Sequence, residues 1–554
     1  MSKELRDQIL KRHQALDKER TPYITTWQDC SDYILGSRGR FLRDQQDLHP
    51  RRNENLYNEK AKLASNVQAA GMQAGITSPA RPWFELTTPD PDMAEYAPVK
   101  EWLSKTQKLM LLIFARSNFY NSMHSLYQEI GAFGQMPIGI YENFDNVIRC
   151  APYTVGSYFL AVNGERDVDT LYREYQMTVR QVVERFGKKT PSQAVINLWD
   201  KGNYDERVPV IHAIEPNSTM KYGSPLSRDM LYRSIYVETA GRNDAVLAQL
   251  GFQEKPFIAP RWEIAGEDVY ASAYPGLNSL GTNKSLQIEE IDKQIAIEKM
   301  HNPPLVGDSV LATSGADLIA GGLTYIPGMA ATGKPGLQSV YDVNPRISEL
   351  TEDIKEKEAR IDRHFYADLF MMITEMDRAQ ITATEIAERK EEKLLMLGSV
   401  LERLNNEALD PAIDRVFGIA ERAGILPPAP PELSGQKLRV EYISVLAQAQ
   451  KAVSTASIEA TAAFTMQLSQ VFPQARHKFN SMQAVDEYAK AKGTPPKVIY
   501  SDDEAEASME AEQQQMQAAQ QAEQAAQVAQ TAQSLGNASL ERGTALSALA
   551  GVPQ

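Results

Sequence analysis

Residues of a type and spacing that could do chemistry are few. Gly328-Met329-Ala330-Ala331-Thr332-Gly333-Lys334 has the Gly-x4-Gly-Lys spacing of a phosphate-cradling loop. In such a loop backbone N–H groups hold the phosphates, the lysine reaches the outer ones, and a Ser or Thr hydroxyl takes the magnesium. Here Pro335 follows the lysine and no apolar helix comes after it, so the segment reads as a structural loop. The seven histidines (His13, His49, His124, His212, His301, His364 and His477) are scattered, with no pair at metal-ligand spacing and no Cys beside them, and they read as surface or internally satisfied side chains. No Gly-x-Ser-x-Gly nucleophile elbow occurs. Acidic pairs such as Asp502-Asp503 lie in polar runs and read as solvated faces. No catalytic residue, cofactor or metal site is expected.

Composition narrows the classes further. A chain of 554 residues suggests two to four domains, and 43% hydrophobic with 23% charged residues is a globular balance. The net charge of −14 argues against a surface built to grip phosphate. Much of it is local, because eight acidic residues and only Arg542 follow Ser501. Cys30 and Cys150 give no disulfide framework, so reduced thiols are expected. The apolar run Leu109 to Ala115 is too short to span a bilayer, and the charged amino terminus lacks an apolar signal core.

The elements that would position anything functional centre on residues 345 to 410. After Pro345, apolar residues at Ile347, Leu350, Ile354, Ile361, Phe365, Leu369 and Met372 mark one face of a single helix from Arg346 to Ile373, the other face being charged. The period fails over Thr374 to Ile381. It restarts at the capping box Thr382-Ala383-Thr384-Glu385, ahead of a helix turning apolar at Leu394, Leu397, Leu401 and Leu404.

Upstream, helices are expected over residues 3 to 20, Ala61 to Ile76 (rich in Ala and Gly, so closely packed on a neighbour) and Val99 to Phe133. Strands follow at Ile138 to Ile140, Val147-Ile148 and Tyr158 to Val162. Asn163-Gly164 then signals a hairpin returning through Leu171, Arg173 and Tyr175. Thr178-Val179-Arg180-Gln181 is a capping box whose helix Gly187 stops. Further strands are expected at Val208 to Ile214, Leu231 to Val237 and Phe257 to Ile264. A helix over Asn278 to Met300 ends at Asn302-Pro303-Pro304. Two long helices thus bracket a Gly- and Pro-rich insert of about forty residues, two rods with a small module at their tips. A Pro-rich spacer at Pro427 to Pro431, a strand at Leu438 to Ile443, helices from Val445 to Lys492, and an Ala/Gln/Glu tail complete an α+β chain.

In order and spacing these features resemble the portal (head-to-tail connector) proteins of short-tailed double-stranded-DNA bacteriophages. The carrying residues are Ala69-Ala70-Gly71-Met72, Gly75 through Leu86, Met177-Thr178 to Phe186-Gly187, and Asn302-Pro303-Pro304-Leu305. To these are added Ile381-Thr382-Ala383-Thr384-Glu385-Ile386, Leu409-Asp410-Pro411 and Gly424-Ile425-Leu426-Pro427. The resemblance implies a portal-type fold in a ring, usually of twelve subunits, at one capsid vertex. It implies a wing over 1–270, stem helices over 271–301 and 345–373, a clip over 302–344 and a tunnel loop over 374–381. A long wing/tunnel helix over 382–405, a crown over 406–500 and a barrel helix or flexible tail over 501–554 complete it.

The implied DNA-facing residues are Thr374, Glu375, Met376, Asp377, Arg378, Ala379, Gln380 and Ile381, and Pro303, Pro304 and Lys334 would dock partners at the clip. The implied partners are other copies of the chain, passing duplex DNA, the terminase motor, scaffolding protein, major capsid protein, a tail adaptor and internal core proteins, with no membrane. The implied location is the virion, after synthesis in the host cytoplasm. An acidic ring suits such a passage, since it repels the duplex it conducts; Arg378, between Glu375 and Asp377, serves equally as a passing backbone contact or a local ion pair. A helical scaffold or tail adaptor using the Gln/Ala tail as a coiled coil is the alternative, and a packaging ATPase a further one that Pro335 disfavours.

Overall fold

The computed structural model describes residues 2–41, 56–90, 93, 96–239, 246–307, 311–315, 317, 337–339, 346–375, 397–433, 438–442, 445–492, 500 and 502–536. By its contacts the chain forms two units, Met1–Pro89 with Trp102–Gln450, and Asp90–Glu101 with Lys451–Gln554. The architecture is α+β with antiparallel sheets.

In the larger unit α1 (Ser2–Tyr33) runs past the expected end at residue 20 and through Pro22. An internal proline costs about 3 kcal/mol, and tertiary packing offsets it. Trp27 and Cys30 are fully buried, and Trp27 meets the Tyr270 ring edge-on at 5.2 Å. Further back, Ile9 and Leu16 pack on Phe159, Tyr172, Ile211 and Ile235 of a five-stranded sheet. Arg20 donates to the carbonyls of Gly156 and Tyr158 at 2.7 and 3.0 Å.

Next come α2 (Lys60–Gly75) and β1 (Phe84–Thr87). The helix expected over 99–133 is two, α3 (Ala97–Arg116) and α4 (Phe119–Phe133). The break falls at Asn118, whose amide pairs with strand backbone instead: Nδ2 donates to Cys150 O at 2.7 Å and Oδ1 accepts from Cys150 N at 2.8 Å. A three-stranded sheet holds β2 (Ile138–Asn143), β3 (Val147–Pro152) and a two-residue β9 (Phe257–Ile258), in the order β3-β2-β9. The expected strand to Ile264 stops there; Pro260, lacking an N–H, follows two residues on, and beyond it the pairing continues through the isolated bridges Gln135–Arg261 and Glu263–Ala273.

The five-stranded sheet has the order β4-β5-β6-β7-β8, with β4 (Tyr158–Val162), β5 (Val168–Thr178), β6 (Arg207–Pro216), β7 (Tyr232–Glu238) and β8 (Val246–Phe252). The β4–β5 connection spans residues 163–167 rather than a two-residue turn. Asn163 Oδ1 accepts from the N–H groups of Glu165 and Asp167, both at 2.9 Å, and the left-handed residue is Arg166 (φ 71°), not Gly164. The Thr178–Gln181 capping box forms as expected at the start of α5 (Val179–Phe186), and Gly187 ends it. Sequence periodicity had not suggested β8 or α6 (Gln193–Asp200), although Ser192 caps α6 by accepting from Val195 N.

Further helices of this unit are α7 (Pro275–His301), α8 (Ile347–His364), α9 (Ala367–Glu375) and α10 (Asp410–Arg422). The single helix expected over 346–373 is therefore split. Phe365 is fully buried and Tyr366 takes φ 55°, a left-handed conformation that bulky residues rarely adopt. The turn lets Phe370 press on α2 at Gly71, where an added Cβ would lie 2.2 Å from the Phe370 ring. The close packing expected of α2 has this cause. Residues 397–404 are helical and pass through a π turn, Asn405–Leu409, into α10 without interruption. There Arg261, 1% exposed, holds Glu407 through Nη2 at 2.7 Å and Nε at 3.2 Å. β12 (Arg439–Tyr442) pairs antiparallel with β1, some 350 residues away in the chain, through Phe84↔Tyr442 to Thr87↔Arg439.

The second unit contains most of α11 (Val445–Val471), α12 (Ser481–Lys492) and α13 (Asp502–Gly536). Tyr488 of α12 donates to Glu459 of α11 at 3.0 Å.

Two outcomes follow from the core. Glu129 of α4 is wholly buried, and burial pushes its carboxyl up to about 7 despite Arg38 and the donors at Thr154 and Val155. A folded-state value above the unfolded one means that stability falls as pH rises from about 4.5 to 7. Glu129→Gln should flatten that slope in thermal unfolding between pH 4.5 and 8, leaving the variant more stable at pH 8 by on the order of 3 kcal/mol at most. An added Cβ at Gly276 would lie 2.2 Å from the Ala132 carbonyl oxygen, so Gly276→Ala should cost about 1–3 kcal/mol by overpacking, read as a lowered melting temperature.

Candidate functional site: two paired helices and their tip

The projecting feature of the larger unit is the pair α7 and α8. Pro275 opens α7 in its first turn, and Lys299 and His301 sit in its last turn, where cations complement the helix dipole. Twenty-seven residues give about 40 Å at 1.5 Å per residue. Its first half is rooted in the body: Gly276, Ser279, Asn283, Leu286 and Gln287 are buried. Its second half is not, since Ile288 is 60% exposed and Ile295, Ile297 and Met300 are also open. α8 returns along it with Ile354 and Ile361 buried, and Lys357 forms an ion pair with Glu289 across the pair.

The root is held by a polar clamp. Gln287 Oε1 accepts from the N–H groups of Tyr57 and Asn58 at 2.7 and 2.9 Å, and its Nε2 donates to Asn58 O and Asn283 Oδ1, both at 3.0 Å. Asn58 Nδ2 in turn donates to Glu290 of α7 at 3.1 Å and Glu358 of α8 at 2.9 Å. Lys284 pairs with Asp29 at 2.8 Å, Asn283 donates to Tyr33 O at 2.7 Å, and Lys60 pairs with Asp362 at 2.6 Å. Asn58 was not legible as a functional residue. Its local signature is an ordinary cap on Lys60 N, and its partners lie 232 and 300 residues downstream.

At the tip, Asn302 caps α7 by donating to Glu298 O at 2.7 Å, and Pro303-Pro304 cannot continue the helix. Pro303 is half-buried and Pro304 exposed. β10 (Leu305–Gly307) then pairs antiparallel with β11 (Leu337–Ser339). Leu305 and Val306 are 41% and 47% exposed, so this ribbon offers apolar side chains and no core. Lys334 and the rest of the Gly328–Lys334 run lie outside the described residues. Of the expected loop, Thr374 and Glu375 carry helical backbone at the end of α9; Met376, Asp377, Arg378, Ala379, Gln380 and Ile381, and the Thr382–Glu385 box after them, lie outside the described residues. The structure therefore joins the two rods and the tip, with Pro303 and Pro304 at the junction.

Electrostatically the pair is acidic: α7 and α8 carry ten Asp and Glu against seven Lys and Arg. Several perturbed groups elsewhere are core groups. Burial pushes the Cys30 and Cys150 thiols up to about 12, and burial with the nearby Arg173 and Arg185 charges holds His212 well below the usual imidazole range. Among the described residues no group of three or more His, Cys, Asp or Glu is placed to hold a metal ion, and no helix is long and apolar enough to cross a membrane. The geometry suits a projecting stalk and a docking tip.

Comparison with known proteins agrees. The model of a family described as "Bacteriophage head to tail connecting protein" matches residues 6–499. The chain is 41% identical over 557 aligned residues to the "Portal protein" of Salmonella phage epsilon15, with all of both chains covered. It is 40% identical over 491 residues to the "Probable portal protein" of Bordetella phage BPP-1, covering 89% of this chain and 88% of that one.

Removing the clamp should loosen the stalk. Asn58→Ala leaves Glu290 and Glu358 without their shared donor and should lower stability by roughly 1–3 kcal/mol; faster amide hydrogen exchange confined to residues 280–292 and 355–362 would locate the loss.

Proposed function

The chain belongs to the family of bacteriophage head to tail connecting proteins and has a portal role, and from that premise we propose that its copies close into a ring whose bore is lined by the α7/α8 pair. The ring, twelve-membered as is usual in portals of this kind, stands at one capsid vertex of the virion and conducts double-stranded DNA inward during packaging and outward at ejection. The part played is structural, not catalytic.

One observation carries this reading: the outer half of α7 leaves Ile288, Ile295, Ile297 and Met300 in solvent. Apolar surface repeated along a stalk is what a second copy would cover, and burying one such side chain stabilises by about 1.5–3 kcal/mol. The second unit supports it, with Phe464, Met466, Val471, Phe472 and Val485 all more than half exposed. The acid excess on α7 and α8 would face the duplex and repel its phosphates, so that DNA slides without being held. In this assembly residues 1–270 form the wing, 271–301 and 345–373 the stem, 302–344 the clip, and 374–381 a tunnel loop against the DNA. Residues 382–405 form a long wing/tunnel helix, 406–500 the crown, and 501–554 a barrel helix or tail. The clip, through Pro303, Pro304 and Lys334, docks the terminase motor and afterwards the tail adaptor; scaffolding, capsid and internal core proteins meet the outer surfaces.

Sedimentation and negative-stain imaging test the proposal together. The expected particle is a closed ring with an opening wider than a duplex (roughly 20 Å, given a major groove alone about 12 Å wide). Ile288→Asp with Ile295→Asp should shift it toward monomer while its circular dichroism is unchanged. A monomeric wild-type protein, or a bore too narrow for duplex, would overturn it.

A further inference from the structure

The sheet face away from α1 carries a cationic cluster that the portal role does not use. Arg173 of β5, His212 of β6 and Tyr236 of β7 stand directly opposite one another in register. His212 stacks on Tyr236 at 4.0 Å with the rings 6° from parallel, and its Nε2 lies 2.9 Å from Ser234 Oγ. The Arg173 guanidinium lies 3.7 Å over the Tyr153 ring and 4.7 Å over Tyr175. Arg185 of α5 lies 4.7 Å over Tyr236 and donates to its hydroxyl at 2.7 Å.

Aromatic faces attract a guanidinium but do not neutralise it. Among the described residues no carboxylate pairs with Arg173 or Arg185, and Arg173 Nε is enclosed with no hydrogen-bond partner. A cavity of about 580 Å³ opens beside Arg185, lined by it with Tyr175, Gln176, Met177, Gln181 and Glu184. Glu184, exposed on α5, is the one acid in its wall.

We propose that this cavity is a docking site for an acidic peptide segment of a partner protein, with Arg185 receiving a carboxylate, Arg173 behind the Tyr175 ring adding positive charge, and Tyr175 and Met177 receiving the aliphatic stem. The planar guanidinium fork suits a carboxylate, and charge-assisted bonds of this kind are about twice as strong as neutral ones. Duplex DNA fits less well. Its affinity depends on many phosphate contacts in a row, and two arginines on a chain of net charge −14 do not supply them.

The test is fluorescence anisotropy of the full-length protein with a short fluorescein-labelled peptide of alternating Glu and Gly. Saturable binding is expected, and Arg185→Gln, on the exposed side of α5 where folding is spared, should weaken it about tenfold, the equivalent of one charge-assisted bond. Arg228→Gln, at an exposed arginine beside Asp229 outside this cavity, should leave it unchanged. The proposal is overturned if the peptide fails to saturate, if the same peptide with Gln for Glu binds as well, or if Arg185→Gln has no effect. Displacement of the peptide by a duplex oligonucleotide more readily than by free glutamate peptide would overturn it too, by making the site a nucleic-acid contact.

Discussion

The whole arrangement depends on how α7 is rooted. Its first half is buried by an approach so close that Gly276 meets the Ala132 carbonyl with no room for a Cβ. The Gln287–Asn58 network then ties α7 to the segment before α2 and, through Glu358, to α8. A 27-residue helix with an exposed outer half holds its direction only if its inner half is fixed, and two kinds of fixing are combined here. Backbone contact sets the distance and a saturated polar network sets the rotation. Two of the network's acceptors, Glu290 and Glu358, are carboxylates, and the bonds they accept from Asn58 are stronger than those between neutral groups.

The body of the larger unit supplies the platform. Its five-stranded sheet is covered on one face by α1, through Ile9 and Leu16, and on part of the other by α5 and α6, through Val179, Val182, Val183 and Val195. Arg261 and Glu407 place a buried bidentate ion pair where the π turn enters α10, and β1 with β12 closes a contact between distant parts of the chain. Such long-range ties make the platform one piece, so that load on the stalk is carried into the sheet. On its other face, among the described residues, no carboxylate pairs with Arg173 of β5 or Arg185 of α5.

Charge patterning links the stalk to its task. Cross-helix pairs such as Lys357–Glu289 use up cations within the stalk, and the remaining acids give the pair its negative balance. Lys357 and Glu289 are themselves half-buried, so the acids left in solvent set the sign of the surface. The apolar residues left on the outer half of α7 are a separate pattern along the helix, so in the proposed ring adhesion between copies and repulsion of DNA would fall to different side chains.

Local signals written in neighbouring residues were readable from the sequence alone. The Thr178–Gln181 box, the α7 and α8 periodicities, the stop at Asn302-Pro303-Pro304, the strands from Ile138 to Val237 and the acidic balance all involve residues within a turn or two of each other, and backbone geometry alone decides them. What the tertiary structure decided lies where distant partners compete with local preference. Pro22 is carried inside α1 because Trp27 and Cys30 are buried beyond it; Asn118 leaves its helix to bond Cys150; Tyr366 accepts a left-handed backbone so that Phe370 can reach Gly71; β1 finds β12 across the chain; and Asn58 joins two helices more than two hundred residues away. In each case packing or hydrogen bonding with a partner distant in the sequence outweighs a local preference of about 1 kcal/mol, or about 3 for Pro22.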